Sequence, residues 1–399
     1  MSRAGRTALR RATVCAMPPL PPGRAVFAGV ELAGVVESVD VRATPERLRS
    51  AGWWALVGDF EGEVRAWRFA EGRPAPESTA PAPPDRASFG HGLHARWHGP
   101  RPDVWTSSMG RREYKEAVGA VRARIREGDV YQANLCRVLA APLGSPDDEP
   151  SAAALGDRLR AGNPAPFGGY VHVPAGEGDA PAWVVTASPE LFLSLDDGVL
   201  TSAPIKGTAR TVDGLSPKDE AENIMITDLV RNDLQHVCEP GTVEVTSLLA
   251  HERHPGLVHL VSTVRGRLAA RLRDDPVAWA EILDATYPPG SVSGAPKSSA
   301  LRIIDELEPT PRGPYCGLVG WLHVDDEGRQ RARLAVGIRT FWWSPDHDGR
   351  GDARGTLRFG TGAGITWGSD PAAEWAETEL KAARLIALAS RAGETGPHV

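Results

Sequence analysis

The sequence predicts an α+β fold in which large antiparallel sheets pack against helices. Runs of strand length follow one another at 169–173, 183–187, 191–195 and 200–203, then at 317–324, 333–341 and 357–365, without a helix after each strand. Helical segments stand apart, near 111–127, 151–161, 217–237, 276–285, 297–307 and 370–390. A chain of 399 residues, 41% apolar and 24% charged, has the composition of an ordinary soluble globular protein and can bury a large core, as one large domain or two intimate ones.

Taken in order, residues 1–110 read as an N-terminal region packed on the core. They open with an arginine-rich stretch, in which no apolar run long enough for a secretion signal precedes Pro18-Pro19-Leu20-Pro21-Pro22. Short apolar runs such as Trp53-Trp54-Ala55-Leu56-Val57 follow, and the proline-rich stretch 73–84 reads as a loop or linker. From Arg111 a helix runs to Gly128 and a strand-like run covers 130–139, so the main domain is placed at 111–390 with a tail at 391–399. The helix near 217 has Pro217 at its start, with Asp219 and Glu222 three residues apart on one face. The last helix opens with Asp370 as N-cap and Pro371 as first helical residue, and sets Glu374, Glu377 and Lys381 within about 60° of one another. Trp375, Ala382 and Ile386 fall on a separate apolar stripe.

Charge and cysteine usage narrow the function. A net charge of −6 gives no global attraction to nucleic acid or anionic lipid, so an anionic ligand must be held by local cations. No segment reaches the roughly 18 apolar residues of a membrane span. Cys15, Cys136, Cys238 and Cys316 lie far apart, without the pairing of a zinc site or the density of a disulfide scaffold, which points to a reducing cytoplasm.

Each local motif has a plain reading beside a chemical one. Lys206, in Pro204-Ile205-Lys206-Gly207-Thr208, is a solvated turn lysine or a nucleophile. The carboxylates Asp219 and Glu222 on one helix and Glu374 and Glu377 on the other complement helix dipoles, or together hold a magnesium ion through oxygen ligands and water. Phe359-Gly360-Thr361-Gly362-Ala363-Gly364 is a bulge or tight turn, or a place where backbone N–H groups approach an anion. Arg339 ends an apolar run and forms either a structural salt bridge or a bidentate contact with a ligand carboxylate.

Over about residues 110–390 the chain resembles the chorismate-utilising enzymes: the large subunits of aminodeoxychorismate and anthranilate synthases and, more distantly, isochorismate and salicylate synthases. The resemblance rests on Tyr131-Gln132-Ala133-Asn134-Leu135, Ser188-Pro189-Glu190-Leu191-Phe192, Pro204 to Thr208, and the run from Ala221-Glu222-Asn223 to Asn232-Asp233-Leu234. It continues through Val258-His259-Leu260, Pro289-Gly290-Ser291-Val292-Ser293-Gly294, Arg312-Gly313-Pro314-Tyr315-Cys316-Gly317, Ile338-Arg339-Thr340, Gly362-Ala363-Gly364, and Glu374-Trp375-Ala376-Glu377-Thr378 with Lys381. It implies two large antiparallel sheets with the active site between them. It also implies magnesium held directly by Glu222 and Glu377, with Asp219 and Glu374 behind them. Arg339, Tyr315, Lys381, Thr208, Ser291 and the backbone of Gly362, Ala363 and Gly364 would bind chorismate, and His259 is the family's active-site histidine.

Two positions choose among the family's reactions. Isochorismate and salicylate synthases use a lysine as base where this chain has Gln132, whose neutral amide cannot take a proton from water near pH 7. Anthranilate synthases typically have alanine where this chain has Lys206, whereas aminodeoxychorismate synthases have the lysine. The resemblance therefore implies attack of Lys206 on chorismate with Glu190 as general acid, ammonia from a glutaminase partner, and a separate lyase that makes 4-aminobenzoate for folate. Anthranilate synthesis is the alternative, and a non-catalytic chorismate-binding subunit a further one. The chain departs from the family pattern in the short run Thr208-Ala209-Arg210 and lacks the segment associated with tryptophan inhibition, so no tight tryptophan site is expected.

Overall fold

In the computed structural model the described residues are 22–75, 96–145, 148–176, 180–209, 211–254, 257–346 and 354–391. Most of the proline-rich stretch 73–84, residue Arg210, the 392–399 part of the tail and the first 21 residues lie outside them. Four strands come first: β1 (Arg24–Phe27), β2 (Val30–Asp40), β3 (Gly52–Gly58) and β4 (Val64–Pro74). A short β5 (Thr106–Ser107) leads into α1 (Arg111–Glu127), which stops where Gly128 adopts a left-handed φ of 86°, as the glycine predicts. Then follow β6 (Gln132–Pro142), α2 (Ala152–Gly162), β7 (Phe167–Val173), β8 (Ala182–Ser188), β9 (Leu191–Asp196), β10 (Val199–Ala203) and β11 (Ile205–Ala209).

The second half begins with α3 (Pro217–Gln235), β12 (Glu244–His254), β13 (Leu257–Arg267), a single turn α4 (Ala270–Arg273) and α5 (Ala278–Thr286). It ends with β14 (Gly294–Ala295), α6 (Lys297–Leu307), β15 (Leu318–Val324), β16 (Gln330–Val336), β17 (Thr340–Asp346), β18 (Arg354–Ile365) and α7 (Pro371–Ala389). The single strand expected over 333–341 is in fact two. Between β16 and β17 Arg339 has φ 52°, a left-handed conformation that no strand can pass through without turning. Strands β12 and β13 and the four N-terminal strands were not separated by sequence periodicity.

Every pairing is antiparallel, and one path of hydrogen bonds runs β12–β13–β10–β9–β16–β15–β3–β4–β2–β1–β7–β8–β17–β18–β6. The expected α+β class holds, and the two sheets anticipated from the resemblance are joined into this one network of 18 strands. Residues 22–75 belong to it, because β3 pairs with β15 and β1 with β7. The largest core cluster packs Ile226, Val230 and Leu234 of α3 and Ile282 and Leu283 of α5 against Trp54, Leu56 and Leu318 of the sheet. A second cluster seats Leu155 of α2 and Leu385 of α7 on Phe341 and Phe359. These helices are amphipathic because their apolar residues recur at the helical period, and burying that stripe is what fixes them to the sheet.

Candidate active site

The two ends of the strand path meet at Lys206. This residue lies in β11, which pairs with β13, while Gln132 and Gly364 belong to β6 and β18 at the opposite end. A Cβ placed on Gly364 would stand 2.3 Å from Gln132 Nε2 and 3.6 Å from Lys206 Nζ, so the glycine leaves the room in which amide and amine sit. Gly207, with φ 83°, turns the strand directly after Lys206 against Asp219 of α3.

Glu190, in the turn between β8 and β9, is buried at 3% exposure. Burial pushes its carboxyl up to about 7, although the Ser291 hydroxyl, the Lys206 ammonium and the Ile205 backbone N–H each pull it back down. Desolvation likewise lowers the Lys206 amine, opposed by the negative charges of Glu222 and Glu190. Among the described residues no hydrogen bond or ion pair holds Lys206. Two buried oxygens in this corner, Gln132 Oε1 and Glu190 Oε1, also have no partner. Buried polar atoms are rarely left so unless a ligand or water completes them. Glu190 and Ser291 border a cavity of about 20 Å³, room for roughly one water.

The acidic helices approach each other beside this corner. Ser216 caps α3 and Pro217 begins it; the Asp219 carboxylate accepts from the Ser216 N–H at 2.8 Å and hydroxyl at 2.7 Å, closing a capping box. Asp370 caps α7 by accepting from the Ala372 and Ala373 N–H groups, with Pro371 first in the helix, as expected. The Lys218 ammonium stands 3.6 Å from Glu222 Oε1 on α3 and 3.5 Å from Glu374 Oε1 on α7. Burial raises the Glu222 carboxyl, Lys206 and Lys218 lower it, and Asp219 and Glu374 raise it further. Glu377 pairs with Lys381 at 2.7 Å and also acts on Lys206 and Lys218.

The four candidate carboxylates thus share one electrostatic neighbourhood, and two of them already hold a cationic group between them. Among the described residues no set of three or more His, Cys, Asp or Glu side chains is arranged as a metal cage. The donor set fits an ion such as magnesium that takes one or two carboxylates and completes its shell with water and a ligand. It does not fit an ion that needs a closed protein cage.

The residues expected to hold a substrate's carboxylates lie around the same space. Arg339 is half-buried, has a left-handed backbone between two strands, and no carboxylate among the described residues pairs with it. Burial lowers its guanidinium, and a desolvated cation without a counter-charge can accept an anion. Tyr315 is buried with its ring against the Gly360 backbone. Lys381 donates to the Gly362 carbonyl at 3.0 Å. The glycine run is neither a loop nor a bulge: Gly362, Ala363 and Gly364 continue the β18–β6 register opposite Cys136, Leu135 and Asn134. Strand β17 reaches only Phe359, so the far edge of 360–365 faces no strand among the described residues. His259 is buried on β13, opposite Thr208 of β11.

Sequence reasoning gave no role to three residues that build this site. Lys218 spans the acidic helices; its signal was a cation in a helix's first turn, where the dipole disfavours it. Asn223 is fully buried, donates to the Leu260 carbonyl at 2.9 Å and accepts from Ser262, tying the helix of Glu222 to the strand of His259. Arg312, 1% exposed, pairs with Glu308 and donates to the carbonyls of Val292 and Asn134 at 2.9 and 2.7 Å. It thereby joins the Ser291 turn to the strand of Gln132.

Comparison with known proteins accords with this geometry. The sequence profile of the chorismate binding enzymes matches residues 93–387. Aminodeoxychorismate synthase component 1 of Klebsiella aerogenes is 37% identical over 295 residues, covering 71% of this chain and 59% of that protein. Anthranilate synthase component 1 of Streptomyces coelicolor is 36% identical over 301 residues, covering 72% and 53%. The matched region therefore spans about three-fifths or less of the length of these relatives. The crystal structure of a 2,3-dihydroxybenzoate-specific isochorismate synthase from Bacillus anthracis superposes with a TM-score of 0.69 at 22% identity, covering 92% of this chain and 96% of that one. Anthranilate synthase component I from Streptococcus pneumoniae gives 0.66 at 22%, covering 96% and 95%. At such identities these two structures establish the fold.

Proposed function

The chain belongs to the chorismate-binding enzyme family, and on that premise we propose that it is the chorismate-processing component of an aminodeoxychorismate synthase. It would convert chorismate and ammonia to 4-amino-4-deoxychorismate and water. The observation that carries this reading is the pairing of Lys206, an amine with lowered proton affinity and no partner, with Glu190, a buried carboxyl pushed up to about 7.

In the first step the neutral Lys206 amine attacks C2 of the chorismate ring, both conjugated ring double bonds shift by one position, and the C4–O bond breaks. Glu190 gives its proton to the departing hydroxyl, which leaves as water. Ammonia then adds at C4, both double bonds return, and the C2–N bond to Lys206 breaks, restoring the neutral amine, while the new C4 ammonium gives a proton back to Glu190. Gln132 cannot act as a base for water, so it favours an amine over a hydroxide nucleophile. Arg339, Lys381, Tyr315, Ser291, Thr208 and the backbone at Gly362 to Gly364 would hold the substrate, and His259 would line the reacting face. Glu222 and Glu377, supported by Asp219 and Glu374, would hold magnesium. When bound, that ion would neutralise and orient a substrate carboxylate.

Ammonia would come from a glutaminase subunit, and a separate lyase would turn the product into 4-aminobenzoate for folate or a related pathway. A cytoplasmic setting agrees with Cys136, Cys238 and Cys316 being free thiols. Among the described residues no helix is long and apolar enough to cross a membrane.

Anthranilate synthesis is the second reading, favoured by the near-equal identity of the Streptomyces coelicolor anthranilate synthase component. The products decide. The purified chain with chorismate, magnesium and an ammonium salt is expected to yield aminodeoxychorismate, which becomes 4-aminobenzoate only when a lyase is added. Anthranilate with pyruvate would establish the second reading, and chorismate left intact even with a glutaminase and glutamine would mark a non-catalytic binding subunit.

A further inference from the structure

We propose that Lys218 is an exchangeable cationic latch: its ammonium ties Glu222 on α3 to Glu374 on α7 in the metal-free protein, and an incoming divalent cation displaces it. Lys218 would thereby set the affinity of the site for that cation. The inference rests on the magnesium reading above.

Four observations carry it. Lys218 Nζ stands 3.6 Å from Glu222 Oε1 and 3.5 Å from Glu374 Oε1, so a single cation spans both helices. The contacts are longer than the roughly 2.7–2.9 Å of a charge-assisted hydrogen bond, which describes a loosely held group. The Lys218 side chain is 49% exposed while those of Glu222 and Glu374 are 15% and 5% exposed, so the lysine can swing into solvent but the carboxylates must stay. Finally, a lysine in a helix's first turn opposes the helix dipole; its position there is stabilised by the facing carboxylates and not by the helix.

No other cation among the described residues lies within ion-pair distance of Glu222 or Glu374. Of the remaining charges, Asp219 is engaged in the capping box, Glu377 is paired with Lys381, and Lys206 serves the reaction corner. Without Lys218 or a metal, the nearly buried Glu374 would carry an uncompensated charge beside Glu222. Magnesium held by Glu222 and Glu377 would take a Glu222 oxygen at about 2.0–2.1 Å, and that is the carboxylate Lys218 now contacts, so ion and ammonium compete for Glu222.

The test compares the full chain with Lys218→Met and Lys218→Arg, titrating magnesium chloride alone by calorimetry and following thermal unfolding in chelator and in magnesium. The expected result is that K218M binds magnesium roughly 5-fold or more tightly than wild type. K218M should also melt lower in chelator and gain more from magnesium, whereas K218R should stay near wild type. Wild type that binds magnesium with K218M no tighter would overturn the latch and leave the magnesium reading intact. No binding heat in either folded protein would remove the magnesium reading and the latch with it. Should K218M not fold, acetylation of Lys218 in wild type, read by mass spectrometry, must speed up on adding magnesium; an unchanged rate overturns the proposal.

Discussion

Lys206 and Glu190 show how one pocket raises one proton affinity and lowers another by the same means. Desolvation disfavours both charged forms, so the carboxyl rises to about 7 and the amine falls. Each is then nearer to the state its proposed step requires. Replacing Lys206 by Ala should lower aminodeoxychorismate formation by at least about 100-fold while chorismate still binds, measured by product chromatography and ligand titration. Replacing Glu190 by Gln keeps the neutral shape but removes the proton and should cost roughly 10²–10⁴ in kcat. The same variant should be more stable at alkaline pH. Because the folded state holds a proton on Glu190 that the unfolded chain has released, wild-type stability falls as pH rises between the ordinary value of 4.5 and about 7. E190Q should therefore gain roughly 1–3 kcal/mol over wild type at pH 8 and little at pH 4, by denaturant unfolding at both pH values.

At the scale of elements, the site depends on how helices begin and on how turns are tied to strands. Ser216 and Asp370 start α3 and α7 at fixed residues, which sets the angular position of Glu222 and Glu374. Asp370→Ala removes acceptors for two N–H groups and should cost about 1 kcal/mol. Its signature, beyond stability, is weaker magnesium binding through a frayed first turn. Arg312 is the firmer tie. Arg312→Met would strip a buried charge from Glu308 and free the Ser291 turn from the strand of Gln132. A loss of roughly 3–5 kcal/mol is expected, the range for a broken buried pair, and thermal unfolding would show it.

Across the whole molecule, the antiparallel path brings its opposite ends together, so the reaction corner is assembled from β6, β11 and β18 and flanked by α3 and α7. The pH dependence of kcat/KM tests that assembly. It should be bell-shaped, because the step needs Glu190 protonated, its carboxyl pushed up to about 7, and Lys206 neutral, its amine lowered by burial, with both limbs belonging to the interacting pair. A flat profile through pH 6–8 would separate the two groups and count against a joint role.

Much of this could be read from the chain. Helix starts at Pro217 and Pro371, the stop at Gly128 and the α+β class all follow from local preferences, since capping, proline geometry and apolar period act within a few residues. The motifs around Glu190, Lys206, Glu222 and Glu377 identified the family for the same reason: their chemistry is written in residue type and spacing. What the sequence could not decide is long-range. The break at Arg339, the pairing of Gly362 to Gly364 with β6, the network joining the strands, and the placement of Lys218 between Glu222 and Glu374 each depend on partners more than a hundred residues away, or on a neighbouring element no local window contains. Strand pairing and the burial of charge are settled only when the folded chain supplies those partners.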